Sequence, residues 1–187
     1  MTPTFRTSHG VSAAEPGVPH LILVGLPGSG KSVVGMRAAE TCGLSFLDFD
    51  LEIERREGQT VAQIFAEHGE HYFRQLERNL TEELREAGGM ILAPGGGWIA
   101  NTEVVGLLRP PGRLVYLEVK PETAIRRMGK RRVLRPLLRR PDPLNEIRNL
   151  YEARRILYEG ADVVIPSESI TLQEVTNRVV ALANELR

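Results

Sequence analysis

A glycine-rich turn between an apolar run and a helical segment is the strongest constraint on how this chain folds. The turn spans residues 25–32, GLPGSGKS, in which Gly25 and Gly30 enclose four residues and Lys31 and Ser32 follow. Residues 21–24, LILV, precede it and predict a buried parallel strand, and residues 33–42 predict a helix. The backbone N–H groups of such a turn and the N-terminus of the next helix bind phosphate. The pattern therefore predicts a nucleotide-phosphate site.

Two side chains at the end of the turn indicate the chemistry of this site. Lys31 can reach the outer phosphates of a nucleotide, and the hydroxyl of Ser32 can hold Mg²⁺. The alternative interpretation is a glycine turn that binds nothing. The strand before the turn and the helix after it favour the phosphate site, because the motif requires that context.

Composition predicts one domain and argues against several classes of partner. The chain has 187 residues, and its 24 Lys and Arg balance 24 Asp and Glu, so we expect neither a nucleic acid nor a membrane partner. The single Cys42 excludes an internal disulfide. No apolar run approaches the ~20 residues that span a bilayer, so we expect a cytoplasmic protein. Residues 1–19 are expected to be a disordered leader, and residues 20–187 a single domain.

Strands and helices alternate along that domain. The predicted strands are 21–24, 44–47, 90–93, 114–119 and 162–166. The predicted helices are 31–41, 51–57, 61–67, 70–87, 102–108, 144–158 and 172–186, with a further helix starting at Pro121 and a break at Gly69. This alternation predicts an α/β fold with a five-stranded parallel sheet and helices on both faces.

Two acidic residues follow the second predicted strand. Asp48 and Asp50 are separated by one residue at the carboxyl end of that strand, where open α/β sheets bind ligands. A general base and an acid near Mg²⁺ belong at that place. The alternative is that the pair only caps the following helix, and capping and catalysis by Asp50 do not exclude each other.

Arg74 and Glu77 lie three residues apart on one face of a predicted helix. On spacing alone, the favoured interpretation is a surface ion pair worth less than ~1 kcal/mol. The alternative is that Glu77 holds Arg74 in place so that Arg74 can bind an anionic substrate.

Gly95, Gly96 and Gly97 directly follow the third predicted strand. Each glycine costs backbone entropy on folding, so three in a row indicate a place where a ligand approaches the main chain closely.

The segment 129–142 is rich in arginine and broken by prolines, which is unsuited to a core element. It is either a solvated charged loop or a mobile lid that brings arginine to the phosphates and excludes water.

Six stretches in a fixed order resemble the shikimate kinases. They are the phosphate turn, Asp48-Phe49-Asp50, Gly69-Glu70 with Phe73-Arg74, Gly95-Gly96-Gly97, Arg135-Pro136-Leu137-Leu138, and Arg154 four residues before Tyr158. The resemblance covers residues 20–186. It implies a three-layer P-loop kinase fold with a lid, and transfer of a phosphoryl group from ATP to the 3-hydroxyl of shikimate. We expect a monomer.

The resemblance also implies a role for each site residue. Lys31 and Arg135 would neutralise charge on the transferring phosphoryl group, and Asp50 would be the base. Ser32 would ligate Mg²⁺, with Asp48 helping through water, and Glu77 would orient Arg74. The implied ATP contacts are Gly28, Ser29, Gly30, Lys31, Ser32, Val33 and Arg135. The implied shikimate contacts are Asp50, Arg74, Gly95, Gly96, Gly97 and Arg154.

Two other functions would share part of this pattern. A kinase of another hydroxy acid, such as gluconate, would keep the phosphate turn but need not keep Arg74, the three glycines and Arg154 together. A ligand-sensing module that had lost catalysis should have lost Lys31, Asp50 or Arg135, and all three are present. The shikimate kinase hypothesis explains the largest number of these positions.

Overall fold

The computed structural model describes residues 18–129 and 141–186. Nearly all of the expected leader, residues 1–19, and of the expected lid, residues 129–142 with Arg135, lies outside the described residues. Of the helices within the described ranges, none combines the length and the apolar character that crossing a membrane requires.

The described residues form five strands and seven α-helices. The strands are β1 Leu21–Val24, β2 Ser45–Asp48, β3 Met90–Ala93, β4 Arg113–Glu118 and β5 Val163–Pro166. The helices are α1 Lys31–Cys42, α2 Phe49–Glu57, α3 Val61–Leu84, α4 Thr102–Leu108, α5 Pro121–Met128, α6 Pro143–Glu159 and α7 Leu172–Glu185. A 3₁₀ turn, Trp98–Ala100, follows β3. The strands form one parallel sheet in the order β2-β3-β1-β4-β5. This confirms the predicted five-stranded parallel sheet, whose spatial strand order was not predicted.

Alternate residues of β1 enter two separate hydrophobic cores. Ile22 and Val24 pack into the core that contains residues of α2 to α6. Leu21 and Leu23 pack into the core that contains residues of α1 and α7. All four β1 residues are buried, which explains why this strand is a continuous apolar run without polar alternation. The sheet therefore lies between two helical layers, as predicted.

The start of one helix differs from the prediction. Helix α2 begins at Phe49, earlier than the predicted Leu51, because the side chain of Asp48 caps it by accepting a hydrogen bond from Leu51 N at 3.3 Å. Asp48 is therefore the cap, and Asp50 lies in the first turn. The predicted break at Gly69 is confirmed, since this residue has a non-helical φ of 81° and ψ of 174° and kinks α3 at that position.

The buried imidazole of His20 connects three elements of the fold. Its Nε2 lies 2.9 Å from the carbonyl oxygen of Leu84 at the end of α3, and its Nδ1 accepts a hydrogen bond of 3.1 Å from Met90 N at the start of β3. Both contacts together need a neutral ring with its proton on Nε2. Burial lowers the pKa of His20 below its ordinary value, while the bond to Leu84 opposes this effect.

Acid should remove the stabilisation that neutral His20 provides. Because its folded-state pKa is lowered, the unfolded chain binds the proton first as the pH falls below the ordinary value of 6.5. The stabilisation is therefore present above that pH and declines below it, by at most about 1.4 kcal/mol per pH unit. Urea unfolding of the wild type and of His20→Gln from about pH 8 to about pH 5 should give free energies of unfolding that converge in acid.

Ile91→Val is the control for this experiment, because it weakens the buried strand β3 without removing a titratable group. Its free energy of unfolding should run parallel to that of the wild type across the same pH range. If the His20→Gln curve also ran parallel, the proposed neutral state of His20 would be wrong.

Candidate active site

A cleft of about 580 Å³, counted with its space open to solvent, lies at the carboxyl ends of β1, β2 and β3. Its walls come from the phosphate turn, the end of β2 and the glycine loop, residues 94–97. The lining residues are Gly28, Gly30, Lys31, Ser32, Val33, Asp48, Asp50, Ala93, Pro94, Gly95 and Gly96. The structure thus brings together residues that are far apart in the sequence, whereas Arg135 lies outside the described residues.

The phosphate turn needs glycine at Gly28 for two reasons. Its φ of 85° lies in the left-handed region, and a Cβ there would overlap the carbonyl oxygen of Ala124 on α5. Gly30, with φ 99°, is the residue that caps α1. The turn therefore approaches α5 backbone to backbone and leads directly into the N-terminus of α1, the arrangement that binds phosphate.

The ammonium group of Lys31 lies over the phosphate turn. Its Nζ donates hydrogen bonds to the carbonyl oxygens of Gly25 at 2.9 Å and Leu26 at 3.1 Å. Lys31 begins α1, so its side chain lies at the helix N-terminus where anions bind. A positive charge and a helix N-terminus therefore face the same part of the cleft.

A hydrogen bond between Ser32 and Asp48 connects the N-terminus of α1 to the carboxyl end of β2. The hydroxyl of Ser32 donates a hydrogen bond of 2.5 Å to Asp48 Oδ2. Both residues line the cleft beside Lys31. A hydroxyl and a carboxylate in contact supply the hard oxygen ligands that Mg²⁺ prefers, so the residues present fit this ion.

Arg74 and Glu77 form an ion pair that is largely buried, unlike the surface pair that their spacing favoured. Arg74 Nη1 donates to Glu77 Oε2 at 2.6 Å, and Arg74 Nη2 donates to Glu70 Oε1 at 2.8 Å. The Glu77 side chain is 3% exposed and that of Arg74 27%. Burial raises the pKa of Glu77 to about 7, although Arg74 opposes the shift.

The glycine loop packs against this ion pair and against Asp50. A Cβ on Gly95 would lie 2.6 Å from Glu77 Oε1 and 2.9 Å from Asp50 Oδ1. A Cβ on Gly97 would overlap the guanidinium of Arg74. Residues larger than glycine would therefore displace the charged groups, so the loop brings its main chain close to three charged side chains.

A second guanidinium reaches the loop from α6. Arg154 Nη1 donates a hydrogen bond of 2.7 Å to the carbonyl oxygen of Gly96. Its neighbour Arg155 is exposed, and its Nε lies 3.9 Å from Glu159. Arg154, and not Arg155, therefore reaches the glycine loop. Gly97, the next residue of that loop, lies against Arg74.

Sequence reasoning assigned no role to Glu70 or Trp98. Glu70 pairs with Arg74, and the four-residue spacing on one helix was a signal for that pair. Trp98 directly follows the three glycines and is the single tryptophan of the chain. That position was the available signal, but its contacts come from distant segments and depend on the fold.

The chain is similar to shikimate kinases in both sequence and structure. A family model described as shikimate kinase matches residues 27–184. A shikimate kinase of Pseudomonas syringae pv. tomato is 42% identical over 168 residues, which are 89% of this chain and 97% of that protein. One of Rhodopseudomonas palustris is 38% identical over 165 residues, covering 88% and 81%.

The structural likeness extends over the same part of the chain. The solved shikimate kinase of Acinetobacter baumannii, in complex with shikimate, has a TM-score of 0.82 and 34% identity, covering 91% of this chain and 97% of that one. The family model, the sequence relatives and the solved structure all indicate the same family. The chain therefore belongs to the shikimate kinase family, whose members transfer a phosphoryl group from ATP to shikimate.

Proposed function

We propose that the described cleft phosphorylates the 3-hydroxyl of shikimate, with ATP as the donor. The observation that carries the proposal is the meeting of two guanidiniums, Arg74 and Arg154, at one glycine loop beside Asp50. The two guanidiniums can bind the carboxylate of a ligand through charge-assisted hydrogen bonds. The carboxylate of Asp50 beside them can accept hydrogen bonds from the hydroxyl groups of the same ligand. The bound shikimate in the Acinetobacter baumannii relative supports this choice of acceptor.

The acceptor end of the cleft would bind shikimate through charge and main-chain contacts. Arg74 and Arg154 would hold the carboxylate, and the N–H groups of Gly95, Gly96 and Gly97 would add hydrogen bonds. Glu77 fixes the direction of the Arg74 guanidinium, because its buried carboxylate accepts a hydrogen bond from Arg74 Nη1. This arrangement orients a small acid without large movement of side chains.

The donor end would bind the phosphates and take up developing charge. Lys31 would exchange the carbonyl oxygens of Gly25 and Leu26 for phosphate oxygens, since all are acceptors for the same ammonium group. Asp50 would take the proton of the 3-hydroxyl as that oxygen bonds to the γ-phosphorus and ADP leaves. Such a reaction asks mainly for alignment and charge stabilisation, which these groups supply.

We assign the Mg²⁺ site to Ser32 and Asp48. Ser32 would ligate the ion directly, and Asp48 would bind it through a water molecule. When bound, the ion neutralises charge on the phosphates. We also place the enzyme in the cytoplasm as a monomer. The leader at residues 1–19, the lid at residues 129–142 and the role of Arg135 stay predictions, because nearly all of those residues lie outside the described ranges.

Purified wild-type protein with ATP and Mg²⁺ should release ADP when shikimate is added. A coupled ADP assay on a panel of hydroxy acids would measure this, with gluconate as the control acceptor and buffer alone as the blank. We expect turnover on shikimate to exceed turnover on gluconate by more than about tenfold, because the ring of shikimate holds its hydroxyls at a fixed distance from its carboxylate, whereas gluconate is an open chain. Folded protein without shikimate-dependent ADP release would refute the proposal.

Replacing Arg74 should weaken shikimate binding selectively. Losing a charge-assisted contact costs about 1.5–3 kcal/mol, so Arg74→Ala should raise KM for shikimate by more than about tenfold. Steady-state kinetics with each substrate varied in turn would show whether KM for ATP stays near the wild-type value.

Arg78→Ala is the matched control for Arg74→Ala. Arg78 lies on the same helix, but its ion pair with Glu82 is exposed on both sides. Its loss should change either KM by less than about twofold. An unchanged KM for shikimate in Arg74→Ala would make that residue structural only, and a melting curve would confirm that both variants are folded.

Asp50→Asn and Asp48→Asn should fail in different ways. Asp50→Asn should keep ATP affinity and lose most of kcat, because an amide cannot accept the hydroxyl proton. Asp48→Asn keeps an oxygen to cap α2 but loses charge beside Ser32, so it should need more Mg²⁺ for half-maximal rate. Titrating Mg²⁺ should restore Asp48→Asn and leave Asp50→Asn inactive. Rescue of Asp50→Asn by Mg²⁺ would remove Asp50 from its proposed role.

A further inference from the structure

Trp98 closes the glycine loop at its carboxyl end. Its backbone N–H donates to the carbonyl oxygen of Gly95 at 3.0 Å, so the loop returns on itself before the 3₁₀ turn begins. The Trp98 residue is 1% exposed and is among the largest buried side chains of the described residues. The indole is therefore held in the core, and it anchors the end of the glycine loop that precedes it.

The indole N–H connects this loop to α3. Trp98 Nε1 donates a hydrogen bond of 3.0 Å to Thr81 Oγ1, and the Thr81 hydroxyl donates one of 2.6 Å to the carbonyl oxygen of Glu77. Thr81 lies one turn after Glu77 and is completely buried. The indole is thus joined by two successive hydrogen bonds to the residue that holds the guanidinium of Arg74.

The indole ring also connects the loop to the end of β2. The rings of Trp98 and Phe49 meet edge to face, with centroids 6.3 Å apart at 72°. Phe49 is fully buried and stands between Asp48 and Asp50 at the start of α2. One side chain therefore contacts the three segments that carry the glycine loop, Glu77 and Asp50.

We propose that Trp98 is a positioning residue for shikimate. Its hydrogen bond to Thr81 holds the glycine loop against Glu77, and its ring contact with Phe49 holds the segment that carries Asp50 beside them. The space between these groups is small, because a Cβ on Gly95 would touch both carboxylates. A binding site of this kind needs its groups held within about 0.5 Å. The role rests on the proposed function, since it concerns the acceptor of that reaction.

The donor end of the cleft does not depend on the hydrogen bond between Trp98 and Thr81. Lys31 and Ser32 are held by the turn after β1 and by Asp48, on segments that Trp98 does not hydrogen-bond. A purely structural tryptophan would lower stability and affect both substrates alike. A positioning residue should change the affinity for shikimate and leave the affinity for ATP unchanged.

Trp98→Phe, Thr81→Val and their combination test the proposal by kinetics and by calorimetric titration of shikimate. Each single variant removes one partner of the hydrogen bond, and the double variant removes both, so it leaves no buried polar group without a partner. The double variant thus keeps the experiment decisive if a single variant does not fold. Thr81→Ser preserves the hydroxyl and should behave like the wild type.

Thr176→Val is the matched control. Thr176 is a buried threonine on α7 whose hydroxyl donates to the carbonyl oxygen of Leu172, as Thr81 donates to Glu77 one turn earlier. It lies in the helical layer on the other side of the sheet, away from Trp98. Its loss should lower the melting temperature in the same way without changing KM for shikimate.

We expect Trp98→Phe and Thr81→Val each to raise KM and Kd for shikimate at least about fivefold, with KM for ATP within about twofold of the wild-type value. The double variant should be no worse than the worse single variant, because both changes remove one bond. Unchanged shikimate affinity in the folded variants, or an equal rise of KM for ATP, would overturn the proposal. Absence of shikimate turnover in the wild type would instead refute the proposed function.

Discussion

The parallel pairing of β1 with β3 on one side and β4 on the other is the constraint on which the functional site depends. Leu21 is aligned with both Ile91 and Arg113, so the three central strands run together and end at one edge of the sheet. β2 extends this edge, with Asp48 beside Ala93. Asp50 and Gly95 each stand two residues beyond that aligned pair, which is why they leave the sheet side by side. The crevice at the carboxyl edge follows from this register.

The electrostatics of the acceptor end follow from the burial of one carboxylate. Glu77 is withdrawn from water, and the cost of burying its charge is offset mainly by Arg74. The same burial explains the absence of a side chain at Gly95, because a Cβ there would meet Glu77 Oε1. The buried Glu77, its partner Arg74 and the absence of a side chain at Gly95 therefore depend on one another. A change at one of these residues disturbs the other two.

The two ends of the cleft belong to different parts of the fold. Lys31 and Ser32 open α1, which packs with α7 on one face of the sheet. Arg74 and Arg154 come from α3 and α6, which pack on the other face. The sheet edge, with Asp48 and Asp50, lies between them. This division lets a nucleotide and a small acid approach the same edge from different helical layers.

Local sequence patterns were sufficient to predict the elements but not their contacts. The phosphate turn, the alternation of strands and helices along the chain and the break at Gly69 were predicted because each depends on neighbouring residues. The start of α2 was misplaced because Asp48 and Asp50 are both competent caps, and only the backbone decides between them. The surface ion pair favoured for Arg74 and Glu77 was wrong because spacing along a helix does not reveal which face is buried.

The sequence by itself determined the parallel α/β fold and the phosphate turn, because apolar periodicity and glycine spacing act over a few residues, and the resemblance of its six motifs indicated the family. Only the tertiary structure decided that Glu77 is buried, that Arg154 and not its neighbour faces the glycine loop, and that Trp98 contacts Thr81 and Phe49. These facts depend on segments that are distant in the sequence and meet only when the sheet and its two helical layers are assembled.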